Sequence, residues 1–156
     1  MAFVLFHVPQ PETALREVHR VLRAGGSVGL TTWGQDAGAR ALEIWNQELD
    51  RHGAPPDGPL IAQHDLMNTP GKLRAMLQRA GFHRAQVDVM PWSHRPTLRH
   101  FIEQHRTLGV TGRRLALLKP AAQGDFLRHV RLRLEKARVH DLVDRGKVLI
   151  ATALTP

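Results

Sequence analysis

Apolar residues recur at helical spacing early in the chain: Ala14, Leu15, Val18, Val21 and Leu22 form one stripe. Pro11 suits the first turn of that helix, because its missing N–H would have no partner there. Glu12 follows, where a negative charge favours the helix dipole. Arg16, Arg20 and Arg23 fall on the wet side, with Glu12 four residues ahead of Arg16 as a supporting ion pair. Gly25 or Gly26 supplies a left-handed stop. Ser27–Trp33 then reads as a strand through Val28, Leu30, Thr31 and Thr32.

The alternation of helix and strand continues. Residues 34–38 read as a loop, and residues 39–53 as a helix with Ala41, Leu42, Trp45 and Leu49 on one side. Residues 53–58, GAPPDG, are too rich in proline and glycine to be helical throughout. Thr69-Pro70 is an N-cap followed by a first-turn proline, opening a helix over 70–80 that Gly81 closes. Phe82 leads into a strand at 85–90, where Val87 and Val89 alternate with Gln86 and Asp88, a pattern with one face less buried than the other. Beyond Pro96, Leu98, Phe101, Ile102, His105 and Leu108 share a helix side until Gly109 or Gly112 breaks it. Pro120 opens another helix, with Phe126, Leu127, Val130 and Leu134 apolar. A turn at 144–146 precedes a final strand over 147–154. The chain is α/β, without internal repeats.

Composition narrows the class. At 156 residues and 42% hydrophobic, the chain is about one domain long with enough apolar material for a core. It has no cysteine, which rules out disulfides, thiolate metal sites and a thiol nucleophile. No apolar run approaches the roughly 20 residues of a membrane helix, and the apolar start lacks the basic residues and cleavage site of a secretory leader. A membrane partner is therefore not expected, and the default expectation is a soluble cytoplasmic protein. The net charge of +8 lies entirely in residues 95–156, which hold thirteen Lys/Arg against five Asp/Glu, whereas residues 1–94 hold nine of each. A basic half can draw an anionic partner. Nucleic acid is not the expected one, because aromatics are 5% of the chain, Tyr is absent, and a base-stacking surface is poorly supplied.

Three segments carry a family resemblance. Residues 3–33, FVLFHVPQPETALREVHRVLRAGGSVGLTTW, with His7, Pro9, Pro11, Glu17, Arg20 and Gly25-Gly26 in register, resemble the middle of class I S-adenosylmethionine (SAM)-dependent methyltransferases. There the pattern spans the end of strand 4, a helix and strand 5. Residues 73–90 resemble the helix, A-G-F turn and strand 6, and residues 147–156 resemble strand 7. The resemblance implies a partial Rossmann-like methyltransferase sheet of strands equivalent to 5, 7 and 6, with strand 7 antiparallel. It implies one domain over 1–156, the C-terminal half of that fold, with flanking helices and inserted cap helices at about 39–53 and 96–137. The glycine-rich loop after strand 1 and the acidic residue ending strand 2, which hold SAM in the family, have no counterpart here.

What the resemblance implies for function follows from that gap. It implies a SAM-dependent methyltransferase-related protein, truncated and not active alone. The alternatives are a working methyltransferase with a small-molecule acceptor, completed by another chain or by an earlier start, and a basic interaction module. The cofactor-adjacent positions it carries over are Ala2, Phe3 and His7, just past strand 4. No catalytic residue is expected, because methyl transfer rests on alignment of nucleophile and sulfonium. Trp33, Trp45 and Trp92 are candidate walls of an acceptor pocket, Trp33 foremost because it ends strand 5 on the rim where open α/β sheets bind ligands. No metal site is expected: His94, His100 and His105 are close in sequence but lack ligand spacing. Ser27 and Ser93 sit in no nucleophile elbow. Without strand 4, strand 5 would present an open edge. The expected assembly is thus a homodimer in which Ser27–Trp33, the segment from Met1 to Phe6, or both are covered by the partner.

Overall fold

The stripe that begins at Pro11 becomes helix α1, Pro11–Val21, with Pro11 and Leu15 buried. Val18 and Leu22 pack partly against the same core. Val21 does not: it is 66% exposed. At 100° per residue it falls at the edge of the stripe, and the helix ends there before a neighbour can cover it. Glu12 also departs from expectation, bonding not Arg16 but Arg79, whose Nε and Nη2 donate to Oε1 at 2.8 and 2.6 Å. That forked contact joins two helices where the expected pair would have decorated one.

The structure, a computed structural model, describes residues 1–35, 38–56 and 62–156. Parts of the expected loop at 34–38 and connector at 53–58 lie outside these. Gly25, at φ +69°, turns the chain out of α1, and its N–H donates to Pro156 O at 3.2 Å. Strand β1, Ser27–Trp33, follows. After α2 (Arg40–Arg51) and a single turn α3 (Ala62–Asp65) comes α4, Pro70–Arg79, capped by Thr69, whose hydroxyl accepts from Lys72 N at 3.2 Å. Strand β2 is His83–His94, then α5 (Leu98–Thr107), α6 (Gly109–Ala116), α7 (Pro120–Glu135) and strand β3, Asp144–Leu154.

The sheet order is β1-β3-β2, the 5-7-6 arrangement implied by the resemblance. β1 and β3 are antiparallel, with Ser27 opposite Leu154, Leu30 opposite Ala151 and Trp33 opposite Val148. Both β2 and β3 outrun their sequence signals: β2 continues to His94, and residues 144–146 belong to the strand instead of a turn. Ladder bonds are made by backbone, so strands extend where side-chain alternation has already faded, as over residues 91–94. The helix α6 had no apolar signal. Gly109, at φ +65°, does break the preceding helix as expected, but the chain then re-enters a helix that contains Gly112.

Contacts divide the described residues into two compact units. One comprises Met1–Ala37, Pro59–Trp92 and Gly146–Pro156; the other comprises Gly38–Gly58 and Ser93–Arg145, close to the two expected inserts. In the first, Val28 and Leu30 from β1 and Leu149, Ala151 and Ala153 from β3 share a core with Leu15, Leu73, Met76 and Leu77 of α1 and α4. Strand alternation sends Gly29, Thr31, Trp33, Ile150 and Thr152 to the opposite face. In the second unit, Trp45 and Leu49 of α2 pack with Phe101 and Ile102 of α5 and Phe126, Val130 and Leu134 of α7. Arg114, 9% exposed, ties this unit's loop down: Nε donates to Pro55 O at 2.8 Å and Nη2 to Ala54 O at 3.1 Å and Asp50 Oδ1 at 2.5 Å.

Candidate functional site

Residues at the start of the chain lie along the outer edge of β1. Ala2 bridges Thr31 in parallel, Phe3 N donates to Thr31 O at 3.0 Å, and Thr31 N donates to Met1 O at 2.9 Å. This is where a strand 4 belongs, so part of the edge expected to be open is already paired. Phe3 sits at φ +52°, a left-handed conformation that costs a non-glycine residue about 1–3 kcal/mol when forced. Its ring packs on Trp33, centroid to centroid 4.5 Å. Trp33 in turn meets Trp92 edge-on at 5.5 Å.

Phe3, Trp33 and Trp92 thus form a continuous aromatic wall at the C-terminal end of β1, on the sheet face opposite the apolar core. Each is partly exposed. His64 Nε2 lies 3.1 Å from Trp33 O and its ring is edge-on to Phe6 at 5.6 Å, which brings α3 against the same strand end. Gln63 Nε2 donates to Pro9 O at 3.0 Å, and Gln35 N donates to Asn68 O at 2.9 Å, fixing the flanking loops. His7 is exposed, with its ring against Phe6 at 4.3 Å. Of the six positions singled out from sequence, Ala2, Phe3, Trp33 and Trp92 come together here, and His7 lies one ring farther along. His64 was not anticipated, since a lone histidine in a four-residue helix carries no pattern.

Trp45 stands apart from the pocket expectation. It is 0% exposed in the helical unit, enclosed by Phe101 and Phe126 at 6.1 and 5.0 Å, and is a core residue with no surface to offer a ligand. A cleft in the same unit is lined by Ala39, Leu42, Phe101, His105 and Asp144 among others, and encloses about 260 Å³ including its open mouth. Most of that space is open to solvent; the enclosed part is about 10 Å³, room for about one water and not for a small-molecule ligand. Burial pushes the His105 imidazole below its ordinary pKa. Burial also raises the Asp144 carboxyl, with His94 pulling the other way. Both shifts favour the uncharged form, as dry surroundings require.

Residues 1–30, which carry the edge segment, α1 and the first half of β1, match the family model described as a methyltransferase domain. A candidate methyltransferase from Bacillus halodurans C-125 aligns with 99% of this chain at a TM-score of 0.52 and 14% identity. The fold is of the methyltransferase type. This methyltransferase-like chain also aligns over 99% of its length with phosphoethanolamine N-methyltransferase 2 of Haemonchus contortus, at 15% identity. The TM-scores are 0.44 for its complex with phosphomonomethylethanolamine and S-adenosylhomocysteine, and 0.41 for that with S-adenosylmethionine. The chain spans 62% of the Bacillus protein and 32% of the Haemonchus one. No curated protein matches the sequence.

SAM carries a carboxylate, an ammonium, two ribose hydroxyls and an adenine, each of which needs a partner when desolvated. Among the described residues at and beside the aromatic wall, the buried polar atoms left without a partner include the Thr31 hydroxyl and Gln63 Oε1. His64 is already committed to Trp33 O. The residues present fit an apolar wall and do not by themselves fit the whole cofactor. No helix among the described residues is long and apolar enough to cross a membrane.

Proposed function

We propose that this methyltransferase-related chain contributes the strand 4–strand 5 wall of a SAM-dependent methyl-transfer site and is inactive alone. The observation that carries this reading is the Phe3–Trp33–Trp92 wall on the rim of the sheet, supported by a backbone-paired segment in the strand 4 position. Such a wall can orient a small acceptor and exclude water. It cannot hold the charged ends of the donor, so completion falls to a partner polypeptide or to sequence outside these 156 residues. Ala2 and Phe3 would lie nearest the donor, Trp33 and Trp92 nearest the acceptor. His7, exposed on the loop beyond Phe6, is positioned to take a proton from an acceptor only after that completion.

Titration calorimetry with SAM on the isolated chain tests this. The expected result is no saturable binding in the micromolar range. Micromolar binding by one protomer would overturn the reading.

The assembly proposed with it is a homodimer through the β1 edge and the segment from Met1 to Phe6. Its support is the exposure of Met1 and Val4, at 41% and 48%, on the short segment beside β1, and the limited pairing that segment supplies. Light scattering at micromolar concentration is expected to give twice the 17.5 kDa chain mass. A mass of one chain would remove the dimer.

A further inference from the structure

Three ligand-type side chains converge in the helical unit, away from the aromatic wall's residues in sequence and chemistry. Glu48 lies in the last turn of α2 and His52, four residues on, caps that helix's C-terminus, so the two fall on one side, while His129 comes from α7. Ligand atoms from all three lie within 4.8 Å of one another. The carboxylate is 5% exposed, and its two oxygens have different neighbours. Oε2 accepts from Arg133 Nη1 at 2.9 Å and Arg51 Nη1 at 3.3 Å. Oε1 faces the imidazoles, 3.5 Å from His52 Nδ1 and 3.9 Å from His129 Nδ1.

We infer that Glu48 Oε1, His52 and His129 form a site for one divalent transition-metal ion of the zinc class. Two ligand atoms of a tetrahedral zinc ion, each at roughly 2.0–2.2 Å, stand about 3.3–3.5 Å apart. The Oε1–His52 separation already has that value, and His129, with a side chain 53% exposed, needs only a small rotation. Two imidazoles and one carboxylate suit zinc, cobalt or nickel over magnesium or calcium. Three protein ligands leave a fourth position for water.

The surrounding groups orient the ligands. Arg133, 2.9 Å from Oε2, holds the carboxylate so that Oε1 faces the histidines, the role that hydrogen-bonded neighbours play around ligating carboxylates, whereas Arg51, at 3.3 Å and 62% exposed, chiefly adds positive charge. His52 Nδ1 is also 2.9 Å from the main-chain oxygen of Glu48. That oxygen accepts from Nδ1–H, so to take a metal the ring turns Nδ1 off it and its one proton moves to Nε2. The positive charge of Arg51 and Arg133 opposes a cation, which sets the expected affinity at micromolar instead of the much tighter range of structural zinc.

The test is titration of the full, metal-free chain with zinc chloride, with cobalt as a spectroscopic probe. One equivalent per chain is expected, and cobalt should show the intense visible absorption of a four-coordinate ion. His129→Ala, at a half-exposed position, should weaken zinc at least about tenfold while the circular dichroism stays unchanged. Arg51→Ala removes a 62% exposed cation near the carboxylate and should tighten zinc on the order of threefold, a change that stray surface-histidine binding would not make. Absence of saturable zinc uptake, or equal uptake by His129→Ala, overturns the site. An Arg51→Ala chain that binds no tighter removes Glu48 from the ligand set and overturns it as well.

Discussion

Trp45→Ala is expected to lower the unfolding free energy by about 3–5 kcal/mol, the usual cost of deleting a fully enclosed aromatic. Trp45 is 0% exposed, and three rings besides the aliphatic core surround it: Phe101, Phe126 and His105 at 6.1, 5.0 and 5.8 Å. The site cannot collapse easily, because α2, α5 and α7 all contribute buried residues to the same cluster. Its indole N–H is buried without a partner, a burden of roughly 1–3 kcal/mol that truncation removes. That places the alanine variant toward the lower end of the range, and makes Trp45→Phe the milder change, expected within about 1.5 kcal/mol of the parent. Urea unfolding followed by far-ultraviolet circular dichroism reads both. An alanine variant within about 0.5 kcal/mol of the parent, the scale of an ordinary surface change, would take Trp45 out of the core and return it to the candidate pocket.

Leu149→Ala is expected to cost about 2–5 kcal/mol, whereas its neighbour Ile150→Ala should cost less than about 1 kcal/mol. Leu149 is 1% exposed and stands opposite Thr32 on the face shared with Leu15, Leu73 and Leu77. Ile150, 37% exposed, stands opposite Thr31 on the other face. Adjacent residues of similar bulk thus report opposite sides of one strand. A register shift of one position would exchange their sides, so the two denaturation curves test the β1–β3 pairing directly. Equal costs at both positions would contradict it.

The elements that proved legible were those whose signals agreed at several levels. For α1 and α4, a first-turn proline, an apolar stripe and a glycine stop all pointed the same way, and the strand order followed from the resemblance at Ser27–Trp33 and 147–154. Local conflict marked the failures. α6 holds two glycines and two arginines in eight residues, and backbone oxygens at 54 and 55 receive the buried Arg114. The Asp50 carboxylate pairs with it as well, and all of these are tertiary contacts, invisible to periodicity. The aromatic wall was half legible: Trp33 could be placed at a strand end, but the approach of Phe3 depends on a left-handed backbone that no propensity favours for phenylalanine. The Glu48–His52–His129 cluster escaped because its third member lies on a different helix, far along the chain from the other two.

The middle ribbon of the sheet is the last one in sequence. Thr155, just past β3, bonds Gly26, just before β1, across a separation of 129 residues. A ribosome therefore releases both outer ribbons well before the piece that joins them, and until then the edges that will face β3 have no ladder partner. Closure over so long a separation is slow. Shielding Ser27–Trp33 during translation is therefore expected to raise the yield of folded chain.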